Sequence, residues 1–272
     1  MQTSASNIWP QRLPEPQILS VAGSAACVGR CWPSEWRASY VAPCGPRLAD
    51  GVAVQIGHDW TVPVRLAFIP PLRPSTAVRA PKGDDWLHEP KWDGFRFQVI
   101  KDGSDARLYS KSGAGYTDRP PTMVEAFATK LPTRTAILDG ELCLIDASGS
   151  ARFYRLMREM RTRRPDEGQL MFLAFDLLDQ DGVDLRSLPL SERKRDLTRL
   201  CRQSRTPFFK QVETFPDGEV LFEHCNRFGF EGVVSKRLTS RYVSGPSRHW
   251  VKVKCPDWKR ANVRRPEPFE GS

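Results

Sequence analysis

Apolar and β-branched residues gather at 94–100, 136–145, 170–178, 232–236 and 249–254, runs of strand length rather than helix length. Between the second and third runs, Phe153, Leu156, Met157 and Met160 recur at helical spacing and predict a helix with a core-facing apolar stripe. Leu197, Leu200 and Cys201 repeat that spacing further on, after a predicted N-cap at Ser191. Residues 69–84 hold five prolines or glycines and predict an extended lead-in strand or linker. From Asp85 onward the pattern is that of a mixed α/β domain. Residues 1–65 show little periodicity of either kind. The expected division is therefore a poorly ordered extension over 1–65, the domain proper over 66–262, and a tail or truncated linker over 263–272.

Composition narrows the class. A chain of 272 residues can bury a sizeable core, and 40% apolar with 27% charged residues is ordinary for a globular protein. No apolar run approaches the roughly 20 residues that span a bilayer, and no basic stretch followed by an apolar segment marks a secretory signal. The expectation is a cytoplasmic protein, in the bacterial cytosol or nucleoid, with no membrane partner. Seven scattered cysteines read as reduced thiols rather than a disulfide framework. Cys27, Cys31 and Cys44 with His58 form a zinc candidate whose C-x3-C spacing matches the usual knuckle poorly.

Charge adds one feature. Of the net +9, residues 66–272 carry +8, which permits a polyanionic partner without requiring one. Arg152, Arg155, Arg158 and Arg161 recur every third residue, followed by Arg163 and Arg164, with Glu159 the one acid among them. Residues three apart are neighbours on a helix, so these build a basic ridge suited either to solvent or to a phosphate backbone.

The chemistry-bearing stretch is Glu89-Pro90-Lys91-Trp92-Asp93-Gly94-Phe95-Arg96. A lysine just before an Asp-Gly turn that leads into a strand is fixed at the mouth of a sheet. It becomes a nucleophile once burial or neighbouring cations make a useful fraction neutral. Further motifs follow in order. They are Ser110-Lys111-Ser112-Gly113 after a short strand, an acidic turn at Asp139-Gly140-Glu141, and the buried run Phe172 to Leu178 containing Asp176. Last come Glu231-Gly232-Val233-Val234-Ser235-Lys236-Arg237 and Trp250-Val251-Lys252-Val253-Lys254. Alternation along a strand places Lys252 and Lys254 on one face, an arrangement that makes sense around an anion.

Together these motifs resemble the covalent nucleotidyltransferase superfamily of ATP-dependent DNA ligases, RNA ligases and mRNA capping enzymes. Their wording is similar to the ligase domain of bacterial non-homologous end-joining proteins. The resemblance implies an ATP-grasp-like α/β (α+β) domain of two mainly antiparallel sheets with flanking helices. It implies that Lys91 attacks the α-phosphate of ATP, that AMP passes to a DNA 5′-phosphate, and that the strand is then sealed in repair or recombination. Glu89 matches the contact to the adenine edge, Phe175 the aromatic stacked on adenine, and Arg96 with Glu141 the ribose pair. Lys252 and Lys254 match the α-phosphate ligands, Lys236 adds a further cation, and Glu141 with Glu231 position Mg2+ or Mn2+. The implied substrate is nicked or broken double-stranded DNA.

Two departures accompany the match. Lys111 stands where the family more often has arginine, keeping charge but losing the bidentate fork. The chain also closes at Ser272, shortly after Lys254, so the OB-fold domain of full ligases is expected to be absent or supplied by a separate OB-fold or end-joining partner. The competing readings are an RNA ligase or capping-type enzyme, and a nick- or end-binding module that lacks turnover.

Overall fold

The computed structural model describes residues 66–162 and 165–262. The expectations for residues 1–65 (the zinc candidate Cys27, Cys31, Cys44 and His58 included), for Arg163 and Arg164, and for the tail lie outside them. Ten strands form two sheets. The smaller has the order β1 (Leu72–Thr76), β10 (Gly245–Lys254), β9 (Gly232–Arg237), β2 (Trp86–Lys91). The larger runs β4 (Asp105–Ser110), β3 (Phe95–Asp102), β5 (Thr135–Leu144), β6 (Leu170–Gln180), β7 (Val183–Asp184), with β8 (Phe209–Gln211) beside β6. Pairing is antiparallel except for β1 with β10 and β8 with β6. Helices α1 (Pro121–Lys130), α2 (Phe153–Thr162), α3 (Leu190–Gln203), α4 (Gly218–Arg227) and α5 (Pro256–Ala261) flank the sheets.

Alternation along the strands divides the core. Phe95, Phe97 and Val99 of β3 and Leu138, Leu142 and Leu144 of β5 face outward from the larger sheet, where Phe127, Leu156, Met160, Leu197 and Leu200 of three helices cover them. The other face meets the smaller sheet through Leu72, Leu87, Ile100, Ile137, Leu178, Tyr242 and Trp250. A two-layer arrangement of this kind leaves polar side chains on the facing surfaces no exit to solvent except through the cleft between the sheets.

All five strand clusters form strands, and both helical stripes bury their apolar faces. Two details are corrected. Ser191 lies within the first turn of α3, whose N-cap is Pro189; Leu238 O accepts the Ser191 N–H at 3.0 Å, so main chain does the capping. Asp139-Gly140-Glu141 is no turn but the interior of β5. Gly140 is needed there for close packing, since a Cβ would stand 2.6 Å from the Phe172 ring and 2.8 Å from Leu173 O. The pattern also left β2, α1 and α4 unassigned. Met123, Ala126 and Phe127, and Leu221 and Cys225, do carry helical spacing, but the small side chains of Ala126 and Cys225 leave the stripe faint.

β6 carries an irregularity that matters for the site. Opposite Asp139 and Gly140 stand Asp176 and Ala174, so Phe175 is an extra residue in β6. Ala174 and Leu177 both face the outer core, and the bulge keeps Phe175 and Asp176 between them off that face.

Gly94 ends the connection from β2 to β3 where it crosses β5, and a Cβ there would lie 2.2 Å from Leu142 O. Gly94→Ala is expected to destabilise the domain by about 1–3 kcal/mol through overpacking. Gly115→Ala, with nothing within 4 Å of the added carbon, should stay within about 0.5 kcal/mol of the parent. Urea denaturation of both variants checks the contrast.

Candidate active site

The smaller sheet offers a grid of side chains to the cleft. In register across β2, β9 and β10 stand Leu87, Lys236 and Trp250; then Glu89, Val234 and Lys252; then Lys91, Gly232 and Lys254. Residues paired across strands share a face, so each row presents its side chains to one surface. The last row explains a glycine. A Cβ on Gly232 would lie 2.0 Å from Val253 O, so nothing larger lets β9 pass between the two lysine-bearing strands.

The larger sheet supplies the opposite wall: Arg96 from β3, Asp139 and Glu141 from β5, and Phe175 from the β6 bulge. Between the walls is a cavity of about 660 Å³. It is lined by all nine residues that the resemblance gives a site role: Lys91, Glu231, Glu141, Lys252 and Lys254 at one end, and Glu89, Arg96, Phe175 and Lys236 toward the other. Lys111 also lines it.

Glu231 organises the lysine end. Its Oε2 accepts from Lys91 Nζ at 2.6 Å, and its Oε1 pairs with Lys254 Nζ at 2.9 Å. Burial alone would lower the Lys91 pKa, but Glu231, with Glu141 and Asp93 beyond it, outweighs burial and the net shift is upward. The expectation that neighbouring cations depress this lysine is therefore corrected for the ligand-free cleft. Burial raises Glu231, yet Lys91 and Lys254 hold it below the ordinary range. Lys252 is lowered by burial and by its two neighbouring ammonium groups. Glu141 is raised to about 7, by burial above all and by the Glu231 and Asp93 charges, against Lys91 and Arg96.

Sequence reasoning missed how the remaining residues are held. Arg96 is paired in register with Glu141, but its guanidinium forks onto Asp139, with Nε to Oδ1 at 3.0 Å and Nη2 to Oδ2 at 2.6 Å. Tyr242 completes this group, donating its hydroxyl to Asp139 Oδ2 at 2.7 Å. Nothing in the stretch around Tyr242 signals that role. Glu89 and Lys236 line the cavity as ion-paired partners at 2.7 Å rather than as separate contacts, and Glu89 pairs as well with Lys194 of α3. Lys236 is lowered to about 8 by burial and by Lys194, against Glu89 and Asp176. Its ammonium lies 4.3 Å from the Phe175 ring and 4.0 Å from the Trp250 ring. Arg193 and Lys194 fall four and three residues before Leu197, on the buried stripe of α3, so helical spacing signals that both turn inward but not which carboxylates they meet.

The arginine ridge of α2 is more neutralised than its sequence suggests. Arg152 pairs with Asp146 and Arg155 with both Glu159 and Asp166, the two aspartates coming from flanking segments. Arg158 and Arg161 are exposed. The four cysteines of the described residues (Cys143, Cys201, Cys225 and Cys255) are free thiols, and no helix among those residues is long and apolar enough to cross a membrane.

Two facing, mainly antiparallel sheets, with a lysine row at one end of the cleft and an aromatic side chain toward the other, define a nucleotidyltransferase domain of the DNA ligase type. The sequence profile of the ATP dependent DNA ligase domain matches residues 70–254, and the chain belongs to that family. It is 32% identical over 189 residues to the multifunctional non-homologous end joining protein LigD of Pseudomonas aeruginosa, covering 69% of this chain and 22% of that protein. It is 34% identical over 211 residues to a probable DNA ligase of Rhodococcus opacus, covering 73% of this chain and 41% of that protein. Among solved structures, the ligase domain of Mycobacterium tuberculosis LigD is similar, with a TM-score of 0.59 and 32% identity over 68% of this chain and 58% of that chain. A mycobacterial DNA ligase D complexed with ATP and MES has a TM-score of 0.58 at 32% identity, over 68% of this chain and 59% of that one. The chain thus spans less than half the length of these two curated relatives.

The Arg96 fork gives a stability test. Asp139 is fully buried, so Asp139→Ala leaves Arg96 without its counter-charge and is expected to cost about 3–5 kcal/mol. Tyr242→Phe removes the bond donated to Asp139 and those accepted from Leu72 N and Arg96, and should cost about 2–3 kcal/mol. Denaturant midpoints at unchanged slope would report both.

Proposed function

We propose that this domain carries out ATP-dependent DNA ligation, with Lys91 as the nucleophile. The observation that carries the reading is the row Lys91–Gly232–Lys254, closed by Glu231, at one end of a cleft that holds Phe175 toward the other. A purine stacked on Phe175 would point its phosphates toward the lysines. Glu231 Oε2, which accepts from Nζ, is the positioned acceptor for the proton that the Lys91 ammonium gives up to free its lone pair. Nζ then attacks the α-phosphorus: the Nζ–P bond forms as the α–β anhydride bond breaks, pyrophosphate leaves, and the second proton on nitrogen passes to the pyrophosphate or to solvent. Lys252 and Lys254 stabilise the charge that develops on the phosphoryl oxygens. The AMP held on Lys91 passes to the 5′-phosphate of a DNA nick, and the 3′-hydroxyl displaces it to seal the strand. Arg96 and Glu141 are positioned for the ribose.

Glu141 and Glu231 fit a divalent cation by their chemistry. Both are hard oxygen donors lining the same cavity, and Glu141, raised first by burial, is a carboxylate that a bound cation would help to ionise. Among the described residues no larger group of His, Cys, Asp or Glu is gathered for a metal. Two carboxylates plus substrate phosphates is the usual Mg2+ arrangement, and Mn2+ accepts the same donors. When bound, such an ion supplies charge stabilisation at the phosphates.

The substrate of this reading is nicked or broken double-stranded DNA, with Arg158 and Arg161 of α2 as candidate phosphate contacts. Its setting is repair or recombination in the bacterial cytosol. A separate OB-fold or end-joining protein is the candidate protein partner of this reading.

Incubation with ATP labelled at the α-phosphate, with Mg2+ or Mn2+ and then nicked DNA, tests the proposal. Covalent label and strand joining are expected with the parent chain and should vanish in Lys91→Ala. Label surviving in that variant would overturn the nucleophile, and preference for GTP would favour a capping-type enzyme. Phe175→Ala should weaken ATP binding by roughly tenfold, given base–aromatic stacking worth about 1–3 kcal/mol.

A further inference from the structure

Below the Phe175 end of the cleft lies an enclosed group of charges that the reaction itself does not use. Glu89 of β2 is gripped from two sides: Oε2 by Lys236 of β9 at 2.7 Å, and Oε1 by Lys194 of α3. The three side chains are 3%, 1% and 8% exposed, respectively. Beside them the fully buried Arg193 forks onto Asp176, with Nε to Oδ1 and Nη2 to Oδ2 both at 2.8 Å. Three cations therefore stand against two carboxylates.

Burying an ion costs several kcal/mol, so a second ammonium on an already paired carboxylate is not explained by charge balance. What the second ammonium adds is direction. With one lysine, the Glu89 carboxylate can turn about its last bond and follow Lys236. With a lysine on each oxygen, it is fixed in one plane. A carboxylate has about four lone-pair sites; the lysines flank one oxygen each, Lys194 as an ion pair outside hydrogen-bond geometry, and Glu89 lines the same cavity as Phe175. An ionised carboxylate accepts hydrogen bonds and cannot donate them. A 6-amino purine stacked on Phe175 presents a donor at that edge, whereas a 6-oxo purine presents an acceptor that the carboxylate repels. Lys236 must be kept from reversing this choice, because its ammonium, sitting over the same ring, would donate to a 6-oxo group if Glu89 swung away.

We propose that Lys194 is a positioning residue for base selection, acting through Glu89: with Lys236 it locks the carboxylate so that the cleft takes a 6-amino purine over a 6-oxo purine. The inference rests on the reading of the cleft as an ATP site. It gives α3, which lies outside the run of motifs, a part in specificity.

The test is titration calorimetry of the full chain with ATP and with ITP, which differ at the 6-position, for the parent, Lys194→Met, Lys194→Gln and Lys194→Arg, each checked for a cooperative thermal transition. Lys194→Met is expected to lose at least tenfold of the parent's preference for ATP over ITP, and Lys194→Arg to restore most of it. Should Lys194→Met fail to fold, Lys194→Gln, which keeps a donor but no charge, reads the same ratio. An ATP-to-ITP ratio within twofold of the parent in a folded, ATP-binding Met or Gln variant would overturn the inference and leave Lys194 a structural residue. A parent chain that binds neither nucleotide would instead sink the ATP reading, and this inference with it.

Discussion

The active end of the cleft depends on one carboxylate shared by two lysines. Glu231 accepts from Lys91 and pairs with Lys254, which reach it from strands on either side of β9. The sharing is possible because Gly232, the next residue, has no side chain to hold those strands apart. Two ammonium groups so placed would repel one another; the carboxylate between them turns the repulsion into a fixed geometry. The Glu231 charge thereby raises the Lys91 pKa against the effect of burial.

The remainder of the site follows from burying polar groups between two sheets. Each charge in that layer has to find a partner, since an isolated ion there would cost far more than it returns. Arg96 takes Asp139 and Tyr242, Lys236 takes Glu89 and two aromatic faces, and Arg193 takes Asp176. The lower layer is therefore a lattice of ion pairs beneath the side chains that line the cleft.

The bulge at Phe175 shows how the backbone contributes. One extra residue in β6 lets an aromatic side chain and an acid stand consecutively off the outer core, the first toward the cleft and the second toward α3. A regular strand would have pointed one of them into the outer core, among Leu142, Phe172 and Leu177.

What the sequence determined by itself was the set of reactive side chains and the strands that carry them. Lys91, Glu141, Glu231, Lys252 and Lys254 sit in short motifs whose alternation fixes which face each occupies, and the five apolar clusters were legible because burial on one or both faces leaves a period of two or a continuous run. The helices α1 and α4 and the strand β2 were not, since small or polar residues such as Ala126, Cys225, His88 and Glu89 stand at buried positions where a large apolar side chain would have marked the period. Only the tertiary structure decided the partners. Asp139 with Tyr242 is a contact across more than a hundred positions, and Glu89 with Lys194 likewise. Period and motif describe what lies a few residues away along one element. An ion pair between elements depends on how a sheet and a helix pack, and the spacing that turns Arg193 and Lys194 inward does not say which carboxylates they meet.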